Sequence, residues 1–168
     1  MSDGYFYTFN KLQYLQKDKG EGCILCRILQ GDPSIIDLRI YTDELFAVSL
    51  NLYPYNPGHL ILFPRQHLTD IRQLEAEKES HLARLVKYFL EILERTLNAQ
   101  GFNLGYNMGR VAGASIEHLH LHLIPRYPNE LGFSDLIAGK RVLVEDPVVT
   151  CQKLKESVAQ RPFSSSWT

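Results

Sequence analysis

His118-Leu119-His120-Leu121-His122-Leu123-Ile124-Pro125 decides the reading of this chain, because imidazole and leucine side chains alternate from His118 to Leu123 without a break. Successive side chains of a strand point to opposite faces. The spacing therefore predicts a strand over His118–Pro125, with three imidazoles on one face and Leu119, Leu121 and Leu123 on the other. The leucines are expected on the core and the histidines along a groove. Three readings of the imidazole face stand side by side. It is an inert polar surface, or a metal site, since imidazole is a common ligand, or a reactive centre. For the last, a neutral imidazole attacks phosphorus near neutral pH and passes the group on through a labile phosphoramidate. Neighbouring imidazoles then hydrogen-bond phosphate oxygens or protonate a leaving group.

Outward from this strand, Gly109–Ser115 reads as a glycine-containing loop, in which Gly113 and the Ser115 hydroxyl could help cradle a phosphate. Phe102–Met108 alternates like a strand. Leu74–Ala99 reads as the long helix, since Leu82, Leu85, Val86, Phe89, Leu93 and Leu97 recur at helical spacing, with Gly101 as the expected C-terminal cap. His59–Pro64 is a short buried strand, preceded by a loop over Asn51–Gly58 that two prolines and a glycine punctuate. Leu38–Tyr41 and Leu45–Leu50 are strand-like, and Cys23–Leu29 is a short helix closed by Gly31 and Pro33. Residues 1–20, with scattered aromatics, are expected to drape over the core or a partner subunit. Residues 21–145 form the one domain, and 146–168 a C-terminal helix and tail that Trp167 anchors. Strands gathered around one long helix give an α+β domain with an antiparallel sheet.

The 168 residues suit a single core, and the 45% apolar and 22% charged fractions are ordinary for a globular protein. A net charge of -1 supplies no global field toward nucleic acid or an anionic membrane, so neither is an expected partner. No run reaches the roughly 18 apolar residues of a membrane span, and Met1–Tyr5 lacks the start of a signal peptide. Three cysteines make no disulfide framework, and a cytoplasmic location is expected.

Ala112-Gly113-Ala114-Ser115-Ile116-Glu117-His118-Leu119-His120-Leu121-His122-Leu123-Ile124-Pro125-Arg126 closely resembles the signature of the histidine-triad (HIT) family. Asn51 to Pro64 resembles that family's nucleoside-binding segment, which includes His59, and Asn107 stands eleven residues before His118, where the family carries Asn or Gln. The resemblance implies the HIT fold, an antiparallel sheet with one long and one short helix, and a homodimer. It also implies purine nucleotides as small-molecule partners. By the same resemblance His120 is the nucleophile, His122 lies beside the phosphate, Ser115 and Asn107 hold phosphate and leaving group, and Asn51 binds the ribose. On the residues alone, without the triad, Asn51 and Asn107 read as ordinary turn and strand-end asparagines. The segment Asn51–Leu60 looks most like the bacterial diadenosine tetraphosphate phosphorylase branch. Gly113-Ala114-Ser115 departs from the Gly-Gln-Ser or Gly-Gln-Thr of better-known branches.

Cys23-x-x-Cys26 at a helix start is a weak metal signal that His67 and His118 strengthen, since two thiolates and two imidazoles satisfy tetrahedral zinc. Many histidine-triad proteins use the matching positions as a structural site. Such a closed site would leave His120 and His122 free. Free buried cysteines or a redox pair are the competing readings. No Walker loop is present, so no strict magnesium requirement is expected. The expected activity is cleavage of dinucleoside polyphosphates through a nucleotidyl-histidine. A purine nucleoside phosphoramidase and a non-catalytic nucleotide-binding protein are the rivals.

Overall fold

Two strands carry the core, because their side chains are apolar on both faces. In the computed structural model, which describes residues 22–128, 130 and 145–164, every residue of β2 (Phe46–Leu50) and β3 (Leu60–Pro64) is buried. Phe46, Val48, Leu50, Leu60 and Leu62 point into the larger core, whereas Ala47, Ile61 and Phe63 point into a smaller one on the opposite face. With β1 (Arg39–Thr42), β4 (Gly101–Tyr106) and β5 (Leu121–Arg126) they form a five-stranded antiparallel sheet in the order β1-β2-β3-β5-β4. This is the α+β class expected from the sequence.

The long helix α2 (Ala76–Leu97) buries Leu82, Leu85, Tyr88, Phe89, Ile92 and Leu93, one stripe at three- and four-residue spacing, on the larger core. Glu77 and Glu79 in its first turn and Arg95 in its last oppose the helix dipole. The helix ends earlier than expected. Asn98 takes the left-handed conformation (φ 56°) and donates its N–H to Glu94, so Asn98 is the cap and Gly101 opens β4 instead. The C-terminal helix α3 (Pro147–Gln160) starts on Asp146, whose carboxylate accepts from Val148 N–H. It sends Cys151 and Leu154 into the larger core.

The short helix α1 (Ile24–Leu29) covers the other face, with Leu25 and Ile28 over Ala47, Ile61 and Phe63. The remaining strand bounds differ from expectation by one or two residues, except at the histidines, where the ladder begins only at Leu121. Before it, Leu119 donates its N–H to Leu68 O (2.6 Å), a carbonyl outside the sheet, and the chain bends at His118, so His118 to His120 do not belong to the ladder. The expectations for residues 1–20 and Trp167 lie outside the described residues. Among the described residues no helix is long and apolar enough to cross a membrane.

Candidate active site

The expected division of faces is present: Leu119, Leu121 and Leu123 lie in the larger core, and the three imidazoles lie on the side of α1. Ring centroids of His120 and His122 are 4.7 Å apart, and those of His122 and His59 are 5.1 Å apart. His122 pairs with Ile61 across the sheet, two residues after His59 in the chain, so the two imidazoles meet on the same face.

Hydrogen bonds assign the tautomer of each ring. His120 Nδ1 lies 2.7 Å from its neighbour carbonyl, His118 O, which can only accept. Nδ1 therefore carries the proton, and Nε2 keeps its lone pair. His118 Nε2 donates to Pro64 O (2.8 Å), which leaves its Nδ1 lone pair facing the two cysteines. His59 Nδ1 accepts from the Tyr55 N–H (3.2 Å), with the Asn51 amide nitrogen 3.4 Å away. Its Nε2–H is then the donor in the 3.0 Å contact with His122 Nδ1. His122 then carries its own proton on Nε2, 3.4 Å from the Asn107 amide group, which accepts that proton when its oxygen is turned to the ring. The result is one ring that keeps a lone pair on Nε2 beside one that carries its proton there, an acceptor and a donor suited to a phosphate.

Burial keeps these rings neutral. Desolvation first, then the like charges of His122 and His120, push His59 down to about 3. Desolvation and His120 push His122 down to about 4. His120 is lowered by desolvation against an opposing bond to His118 O. Neutral imidazoles keep the lone pair that nucleophilic attack requires.

The other expected residues are placed less uniformly. Asn51 accepts the Tyr53 N–H on Oδ1 (3.0 Å) and turns its amide nitrogen to His59, so its side chain braces the loop. Gly113 (φ +86°) and Gly109 (φ +81°) permit the turn over Arg110–Ala112. The N–H groups of Ala112, Gly113 and Ala114 close that turn on itself. The loop therefore offers a phosphate the exposed Ser115 hydroxyl rather than these amides. Sequence reasoning missed Asn56 and Glu130, which join the Asn51–Gly58 loop to the end of β5 through the Asn56 amide. Nothing local to Glu130 could have revealed it.

Cys23, Cys26, His67 and His118 converge, with all four ligand atoms within 4.8 Å of one another. Cys26 Sγ lies 3.3 Å from His67 Nδ1 and 3.5 Å from His118 Nδ1, and Cys23 Sγ lies 3.4 Å from His118 Nδ1. Tetrahedral zinc with Zn–S of about 2.3 Å and Zn–N of about 2.0 Å sets sulfur-to-nitrogen edges of about 3.5 Å, so the residues fit the ion. Without a cation, burial and then Cys23 push the Cys26 thiol up to about 11. A bound divalent cation reverses that preference.

A small antiparallel α+β domain with a buried histidine cluster beside a Cys2His2 group defines the class of protein. The HIT domain matches residues 33–129, and the chain belongs to that family. It is 36% identical over 101 residues to an AP-4-A phosphorylase of Mycobacterium tuberculosis, a match covering 60% of this chain and 52% of that protein. The chain thus spans about half the length of that relative. It is 30% identical over 108 residues to an adenosine 5'-monophosphoramidase of Schizosaccharomyces pombe, covering 64% and 76% of the two chains. A Zn-bound histidine triad family protein from Mycobacterium smegmatis superposes with TM-score 0.67 at 28% identity, covering 83% of this chain and 94% of that one.

Proposed function

We propose that this chain cleaves dinucleoside polyphosphates of the diadenosine tetraphosphate type by nucleotidyl transfer through His120. The observation that carries the reading is the tautomer of His120, whose Nδ1–H is bound to His118 O, so that Nε2 keeps its lone pair. In the first step Nε2 attacks the α-phosphorus, a P–N bond forms, and the P–O bond to the remaining polyphosphate breaks. His122 Nε2–H hydrogen-bonds the phosphate oxygens as charge builds on them, and the polyphosphate leaves as an anion that takes its proton from water. In the second step water or inorganic phosphate attacks the same phosphorus and expels the imidazole. Ser115 and Asn107 hold phosphate oxygens, Gly113 shapes their loop, and Asn51 and the His59 segment face the nucleoside. Similarity to the Mycobacterium tuberculosis phosphorylase favours this substrate class.

Cys23, Cys26, His67 and His118 would hold zinc, which would tie α1 to the sheet as a structural cross-link. The likeness to a zinc-bound relative supports that assignment. Turnover needs no magnesium in this reading. The protein works as a homodimer in the cytoplasm, where its thiols stay reduced. Exposed Leu104 on the edge strand β4, with exposed Met108 beyond it, supports pairing with a second copy.

The test is an assay of zinc-quantified protein on diadenosine tetraphosphate with and without inorganic phosphate and magnesium. Phosphate-dependent release of ADP and ATP establishes a phosphorylase, and AMP release without phosphate establishes a hydrolase. Turnover of adenosine phosphoramidate alone establishes the second reading, which the similarity to the fission-yeast enzyme favours. Binding of AMP with no turnover of either substrate overturns catalysis and leaves a binding protein.

A further inference from the structure

Asn56 is a buried amide, only 2% exposed, on the loop that leads into His59. Its Nδ2 donates to Pro125 O (2.6 Å) and to Glu130 Oε1 (3.0 Å), and its own carbonyl accepts the His59 N–H (3.0 Å). Glu130 Oε1 also accepts the Tyr127 N–H (2.7 Å), and its other oxygen pairs with Arg126 Nη2 at 2.5 Å. The Tyr127 hydroxyl donates to Pro57 O (2.8 Å). Two consecutive loop residues, Asn56 and Pro57, are thus lashed by three hydrogen bonds to the end of β5 and the segment that follows it.

The sheet does not supply this connection. The ladder between β3 and β5 pairs Leu60 with Leu123, Ile61 with His122 and Leu62 with Leu121, and it stops one residue short of His59. Yet the His59 ring must stay 3.0 Å from the His122 ring for its Nε2–H to occupy His122 Nδ1. One member of that contact stands at the loop's end, where its carbonyl accepts the Asn51 N–H (2.8 Å), and the other on β5, so the path of the loop beside β5 helps set the distance. Fixing His122 Nδ1 as an acceptor is what places the proton on Nε2.

We propose that Asn56, braced by Glu130 and Tyr127, is a positioning residue that holds His59 against His122 and thereby fixes the His122 tautomer used on the phosphate. The catalytic consequence rests on the function proposed above; the tautomer consequence does not. A plain structural brace would lower stability when removed but would leave the folded site's proton arrangement alone.

The test compares Asn56→Ala, Glu130→Ala, Glu130→Gln and Tyr127→Phe with the wild type. Long-range 1H–15N imidazole spectra read the His59 and His122 tautomers in the ligand-free protein. Kinetics on diadenosine tetraphosphate separate kcat from KM. For Asn56→Ala and Glu130→Ala, the single Nε2–H pattern of His122 should give way to averaged tautomers. With it, kcat should fall roughly tenfold to hundredfold, the scale of a misplaced catalytic group, while KM changes less than about threefold. Glu130→Gln, which keeps an oxygen acceptor, should restore both readouts relative to Glu130→Ala. Folded Asn56→Ala with the wild-type tautomer pattern overturns the proposal. If neither alanine variant folds, Tyr127→Phe decides. It removes one bond, and a wild-type tautomer pattern there overturns the proposal, whereas averaging supports it. A wild type inert on nucleotides would sink the catalytic reading while the spectra still decide the positioning.

Discussion

At the scale of single residues, the site works by keeping its imidazoles neutral and their protons on chosen nitrogens. His120→Ala removes the only lone pair in the described cluster aimed for attack, so turnover should fall by about three orders of magnitude or more. AMP affinity, measured by calorimetry, should stay within about threefold, because the remaining donors are intact. The depressed values of His59 and His122 carry a stability consequence with a definite sign. Between the ordinary 6.5 and the folded values of about 3 and about 4, the unfolded chain binds more protons than the folded one. Stability should therefore be full above about pH 6.5 and should fall as pH drops toward 4. Urea midpoints across that range check it, and His122→Gln should flatten the slope. Gly58 is a steric necessity of a different kind. Its φ is +82°, and an added Cβ would lie 2.4 Å from Leu97 Cδ1 and 3.1 Å from Leu93 Cδ2. Gly58→Ala should cost about 1–3 kcal/mol in urea unfolding.

At the scale of elements, α2 and β5 show how far periodicity goes. The apolar stripe of α2 places the helix well, since burial of Leu85, Phe89 and Leu93 depends only on their spacing. Its end did not follow from spacing, because either Asn98 or Gly101 could cap it, and the fit of Ala99 into the core favours the earlier stop. Asn98→Ala should cost about 1 kcal/mol, the strain of a left-handed alanine, in thermal or urea unfolding. In β5 the alternation of His118 to Leu123 is real, but pairing starts only at Leu121. Leu68 O captures the Leu119 N–H and His118 O captures the His120 ring, which leaves that stretch free to shape the site.

At the scale of the whole molecule, two cross-links close the chain on itself. The first is the Cys2His2 group, which joins α1, the segment after β3 and the approach to β5. Zinc bound there at about a thousandfold above its Kd stabilises by roughly 4 kcal/mol. Chelation should then lower Tm by about 10 °C, reversed by added zinc, as scanning fluorimetry would show. The second is the C-terminal segment. Phe163 packs edge-on against Tyr41, His81 and Tyr88, with centroids 5.9, 5.6 and 5.4 Å away, and the Tyr88 hydroxyl donates to Arg161 O (2.7 Å). These contacts hold α3 on the far side of the sheet from the histidines.

The sequence by itself determined the class of fold, the inward leucines, the histidine face and which four cysteine and histidine residues to look for together. Each of these depends on local period or on residue chemistry, which a linear string records. Only the tertiary structure decided which ring nitrogen carries a proton, that Asn51 braces His59, and that Asn56 reaches Glu130 across 74 positions. Those facts are distances between segments remote in the chain. They are set by sheet order and loop packing, and no local pattern of residues encodes them.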